Sequence, residues 1–261
     1  MTRRWPISCG ISVAAIIAGA SISTSMADPS HRPLVIAGQQ VLWRPNAAGR
    51  SVFLRYSVAN EERAAPDAVN CRRIRPPHRL LSGSAISPTA FQAALSRAFA
   101  RWQEAAGITF IEVPAGSEAD IVVGEQSEPA GFAFTSLTLG PWVEGPIRPI
   151  ASATICLNPA KRWKVGFDGN LAVYDLEHTL AHEIGHAIGL DHPSPRGHLM
   201  SFRYSEAIAT LSEGDALGAA TIYGPPSTRA ATSARPTAIA IKTTAAATTV
   251  GRSLLEPTAR R

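Results

Sequence analysis

Between Ser87 and Gly107 the apolar residues Phe91, Leu95, Ala98, Trp102 and Ala105 recur three or four positions apart. That spacing aligns them on one face of an α-helix. Ser87 followed by Pro88 supplies an N-cap and a first-turn proline, and Gly107 supplies a stop. A helix with Trp102 in the core is therefore predicted here. A second helical stretch runs from about Leu171 to Gly189, with Leu180, Ile184, Ala187 and Ile188 as its apolar positions. Ser212 with Asp215 forms a capping-box pattern for a last helix ending near Tyr223. Between these, "SVFLRYSV", "ITFIEV" and "ADIVVG" are rich in β-branched and aromatic residues and read as strands, with "GFAFTSLT" and "ASATICLN" as weaker ones. Proline and glycine in "LGPWVEGPIRP" mark a loop. The pattern is that of an α+β domain with a long helix behind a sheet.

The chemistry concentrates in "LAHEIGHAIGLDHPSPRGHLMSF". Of seven histidines in the chain, four lie between residues 182 and 198. Residues four apart on a helix share a face, so His182 and His186 can aim both imidazoles at one point. Neutral imidazole suits zinc, at Zn–N distances of about 2.0–2.1 Å. Glu183 is turned about 100° away and reaches the rim of that point without ligating it. Gly189 ends the helix at little steric cost and lets His192 return as a third ligand. Three protein ligands leave a fourth position open, as in catalytic zinc sites and unlike closed structural ones. His178 lies too far along the helix to share the ion and reads as packing or surface. His198 reads as a loop residue.

The complete pattern, His182-Glu183-x-x-His186-x-x-Gly189-x-x-His192 followed by Met200, resembles the metzincin metalloproteases. The eight-residue step from His192 to Met200 is similar to that of the matrixins, the matrix-metalloprotease family. "AFQAALSRAFARWQEAAGITFIEVPAGSEADIVVG", "LSEGDALGAATIYG" and "LRYSV" resemble that family's first helix and following strands, its closing helix and its first strand. The resemblance covers about residues 50–224. It implies a twisted five-stranded, mostly parallel sheet over a shallow cleft, with the metal-binding helix at its floor. It also implies a zinc endopeptidase acting on protein or peptide substrates, with Glu183 as general base, Met200 in the turn beneath the metal, and Phe202 and Tyr204 in the wall of a substrate pocket. Between Gly124 and Glu177 the chain has no histidine and only Asp168 and Asp175 as aspartates. One catalytic zinc is therefore expected, without the second, structural zinc usual in matrixins, and no calcium site is assigned. The alternative is a catalytically weak or inactive zinc-binding interaction module, which would ordinarily have lost Glu183.

Charge and composition narrow the setting. Residues 28–225 hold 17 Lys/Arg against 19 Asp/Glu, whereas residues 226–261 hold six Lys/Arg against Glu256 alone. The body is thus close to neutral and offers nothing to nucleic acid. The basic excess belongs to an Ala/Thr-rich tail with the composition of disorder. At the other end, Arg3 and Arg4, the apolar run Ile11–Ala20 and Ser25-Met26-Ala27 make a signal-peptide pattern. The expected division is 1–27 signal peptide, 28–225 catalytic domain and 226–261 tail. The mature protein is expected to be secreted or otherwise extracytoplasmic, monomeric and without a membrane span. An oxidising compartment permits a Cys71–Cys156 disulfide, and two free buried thiols are the alternative.

Overall fold

A computed structural model describes residues 30–45, 51–65, 68, 70–194 and 196–226. The expected signal peptide and all of the tail beyond residue 226 lie outside the described residues.

Five strands form the body of the sheet: β1 (Val52–Val58), β2 (Ile108–Glu112), β3 (Ile121–Gln126), β4 (Ala133–Leu139) and β5 (Ile147–Leu157). β1 runs parallel to β2 on one side, with Val52 opposite Ile108, and to β3 on the other, with Tyr56 opposite Ile121. β5 is parallel to β3, and β4 pairs antiparallel with β5, placing Thr135 opposite Ile155. The body is thus mostly parallel, with β4 as its antiparallel edge. Short strands at residues 35–36, 39–42, 63–64 and 73–75 extend it to nine strands among the described residues. The β5 strand begins at Ile147, inside the segment predicted as a loop. Pro149 lies opposite Leu42 of the short strand at residues 39–42, near the sheet margin, and its carbonyl still accepts from Gly140 N on the other side.

Among the described residues four helices accompany the sheet: α1 (His78–Ser84), α2 (Pro88–Ala105), α3 (Leu176–Ala187) and α4 (Glu213–Tyr223). The Ser87 side chain accepts from Ala90 N, so α2 starts where its cap and proline predicted. Its buried face is Phe91, Ala94, Leu95, Ala98, Phe99 and Trp102. Burying each large apolar side chain contributes roughly 1.5–3 kcal/mol. Trp102 is fully buried and donates its indole N–H to Ala181 O at 2.8 Å, which fastens α2 to α3 without leaving the indole unsatisfied.

The helix carrying the histidine motif starts five residues later than predicted. Leu171 to Val173 continue the apolar pattern, but Asn170 holds them in a turn, its side chain and main-chain oxygen accepting from Ala172 N and Val173 N. Tyr174–Asp175 then pairs with Trp163–Lys164, and Asp175 caps the helix by accepting from His178 N at 2.7 Å. Cys71 and Cys156 are joined in a disulfide, with Cα atoms 5.7 Å apart.

Candidate active site

The floor of the site is built from α3 outward. His182 and His186 share one face, and Gly189 turns the chain with φ 89°. A Cβ at residue 189 would run into Val41 O, so the turn and the close approach of residues 41–42 both require glycine. Leu190–Asp191 then pairs with Arg32–Pro33, and His192 comes back over the helix.

The three imidazoles meet. His192 Nε2 lies 3.1 Å from His182 Nε2 and 3.2 Å from His186 Nε2. His182 Nδ1 is 2.7 Å from Leu199 O, and His186 Nδ1 is 2.8 Å from Leu190 O. A carbonyl only accepts, so both Nδ1 atoms carry the proton and both Nε2 atoms present bare lone pairs. Burial pushes His182 and His186 down to about 4, with help from neighbouring imidazoles, which keeps them neutral. Burial likewise lowers His192. A proton on His192 Nε2 could serve one of its two contacts, whereas a cation at the centre serves all three. The donor set fits a metal ion, and the three residues could hold one.

Met200 lies under this arrangement, 2 % exposed. A Cβ at Gly185 would collide with Met200 Sδ and Trp102, so the glycine inside the motif lets the turn pack against the helix. The turn is itself held from α4. Asp215, buried in its capping box with Ser212, accepts from Leu199 N at 2.7 Å and Met200 N at 3.2 Å. A single carboxylate thus fixes the turn whose Leu199 carbonyl orients His182.

Glu183 stands beside the face that carries His182 and His186, buried, with its affinity for a proton raised by that burial. Thr135 of β4 places its hydroxyl 2.7 Å from Glu183 Oε2 and 2.9 Å from Glu183 O. No local pattern in the sequence marks Thr135, since its partner is 48 residues away.

An open cleft of about 660 Å³ passes over these groups. β4 lines one side with Thr135 and Leu137, and among the described residues it pairs only with β5, so its other edge faces the cleft. Phe202, 81 % exposed, stands edge-on to His192 at the rim, with ring centroids 5.3 Å apart. Tyr204 is in the wall. It stacks on Tyr174, which stacks on Phe132, at centroid separations of 4.3 and 3.9 Å. The Tyr204 hydroxyl accepts from Asp175 N and donates to Glu206, which also pairs with the Lys164 ammonium and accepts from Asp168 N and Gly169 N. Burial is the main reason the Tyr204 hydroxyl is harder to ionise than usual. His178 is buried against Tyr204 and Phe167, and burial pushes it down to about 4. Leu34 and Ile36, ahead of the region resembling a known family, also line the cleft.

The matrixin family profile matches residues 80–224, more than half of the chain. The chain belongs to the matrixin family. It is 29% identical over 150 residues to metalloendoproteinase 4-MMP of Arabidopsis thaliana, covering 53% of this chain and 42% of that protein. It is 32% identical over 139 residues to human matrix metalloproteinase-19, covering 50% and 23%. It is 26% identical over 152 residues to karilysin of Tannerella forsythia, covering 56% and 31%. The chain thus spans less than half the length of these matrixin relatives. Family membership implies zinc, and His182, His186 and His192 form a cluster that could hold a metal ion.

Proposed function

We propose that this matrixin is an exported zinc-dependent endopeptidase in which His182, His186 and His192 hold the ion and Glu183 is the general base. The observation that carries the reading is the convergence of bare imidazole nitrogens beside a buried carboxylate on the floor of an open cleft. Zinc bound there supplies a Lewis acid that acidifies water and polarises the scissile carbonyl. Glu183 accepts the proton of the attacking water at its carboxylate and passes it to the leaving amine. A desolvated carboxylate is a stronger base than a solvated one, which suits the first of these transfers. The free edge of β4 can pair with an extended peptide through main-chain hydrogen bonds. Tyr204 and the exposed ring of Phe202 then bound the space for substrate side chains. Every group named comes from one chain.

Export is supported by the charged, apolar and small-residue succession in residues 1–27 and by the Cys71–Cys156 disulfide, which suits an oxidising compartment. No helix among the described residues is long and apolar enough to cross a membrane.

Glu183→Gln keeps the shape of the side chain but cannot take up the water's proton. It should retain about one zinc per chain and lose at least 10²–10⁴-fold in kcat on a peptide substrate. Near-native turnover by the zinc-loaded variant would overturn the mechanism.

A further inference from the structure

We infer that Thr135 is a positioning residue for Glu183, holding its carboxylate in the orientation that receives and releases a proton. The inference rests on the general-base reading of Glu183. A glutamate side chain has three rotatable bonds, and in the cleft nothing covalent fixes where its oxygens point. Thr135 Oγ1 supplies a fixed reference, 2.7 Å from Oε2, on a strand whose ladder with β5 is continuous through Thr135 opposite Ile155.

The second distance gives the hydroxyl its particular use. Its single proton can go to Glu183 Oε2 or to the main-chain oxygen of the same residue, 2.9 Å away. While Glu183 is ionised, the carboxylate is the stronger acceptor and takes that proton in a charge-assisted hydrogen bond. That bond ties Oε2 to β4 and leaves the other carboxylate oxygen to take the proton from water and give it to the amine. Valine has the shape of threonine and cannot hold Oε2 in place.

The test compares Thr135→Val, Thr135→Ser, Glu183→Gln and the double variant Thr135→Val/Glu183→Gln in the zinc-loaded, full-length protein. Thr135→Val should lower kcat roughly ten- to a hundredfold, the scale of one hydrogen bond to a charged group, with KM changed by less than about twofold. Zinc content by elemental analysis should remain about one per chain. Thr135→Ser should restore kcat to within about threefold of wild type. In the Glu183→Gln background, Thr135→Val should change the residual rate by less than about twofold, because the group it positions is gone. Four results would overturn the inference: undiminished kcat in Thr135→Val, loss of zinc with kcat, failure of serine to rescue, or an equal loss in the Glu183→Gln background. An active Glu183→Gln overturns the general-base reading and this inference with it. An inactive Glu183→Gln beside a fully active Thr135→Val overturns the inference alone.

Discussion

The floor and the wall of the cleft are built by opposite strategies. On the floor, three converging imidazoles come from eleven consecutive residues, and one helix and one glycine turn bring them together. In the wall, Thr135, Tyr174 and Tyr204 come from three separate segments and meet only through packing across the fold. The floor is therefore an all-or-none device, in which each ligand depends on the same few backbone angles. The wall is distributed, and each contact can be weakened without the others failing. Removing a floor residue should abolish the site, whereas removing a wall contact should detune it.

The sharpest way to break this contrast is His192→Ala. Losing one of three ligands should lower zinc content and activity together, and chelation of the wild-type protein should reproduce the loss reversibly. Elemental analysis beside a peptide assay decides it, and a variant inactive with full zinc would show that the floor is not all-or-none.

A smaller effect is expected where the wall is stapled. Cys156 lies opposite Phe134 in the β4–β5 ladder, and Cys71 follows Asn70, whose carbonyl accepts from Ser136 of β4. The bond closes a loop of 85 residues. In the chain-entropy picture its loss costs about 4–5 kcal/mol of stability. Cys71→Ser/Cys156→Ser should unfold at clearly lower urea concentration, yet keep zinc when folded. Zinc loss in the folded variant would mean that the wall supports the floor after all.

The smallest expected change tests how tightly the floor is packed. Gly185→Ala places a methyl against Met200 and Trp102, an overpacking that should cost about 1–3 kcal/mol. Thermal unfolding should show a lower midpoint, and a midpoint equal to wild type would show that the Met200 turn is free to give way.

The same contrast governs what could be read from the sequence. The histidine motif, the α2 cap at Ser87 and the capping box at Ser212–Asp215 are encoded within a few residues, where spacing dictates geometry. The apolar residues Leu171 to Val173 continue the periodic pattern and predict an earlier start for α3, while the turn at Asn170 that interrupts them depends on one side-chain and one main-chain hydrogen bond. Helix α1 lacks a side-chain cap and spans only seven residues, so it carries no comparable signal. Thr135, the Lys164–Glu206–Tyr204 chain and the cleft-lining Leu34 and Ile36 become meaningful only through tertiary contacts. Phe202 and Tyr204 came from family resemblance; their position in the sequence alone gave no reason to select them.

The buried carboxylate of Asp215 has a consequence in time. It sits 33 residues beyond His182, yet it anchors the turn whose carbonyl sets the tautomer of that imidazole. A nascent chain that has emerged only through Leu211 already contains His182, His186 and His192 but not the carboxylate that holds the turn orienting His182. Order around His182 therefore arrives late, with α4, the last helix among the described residues.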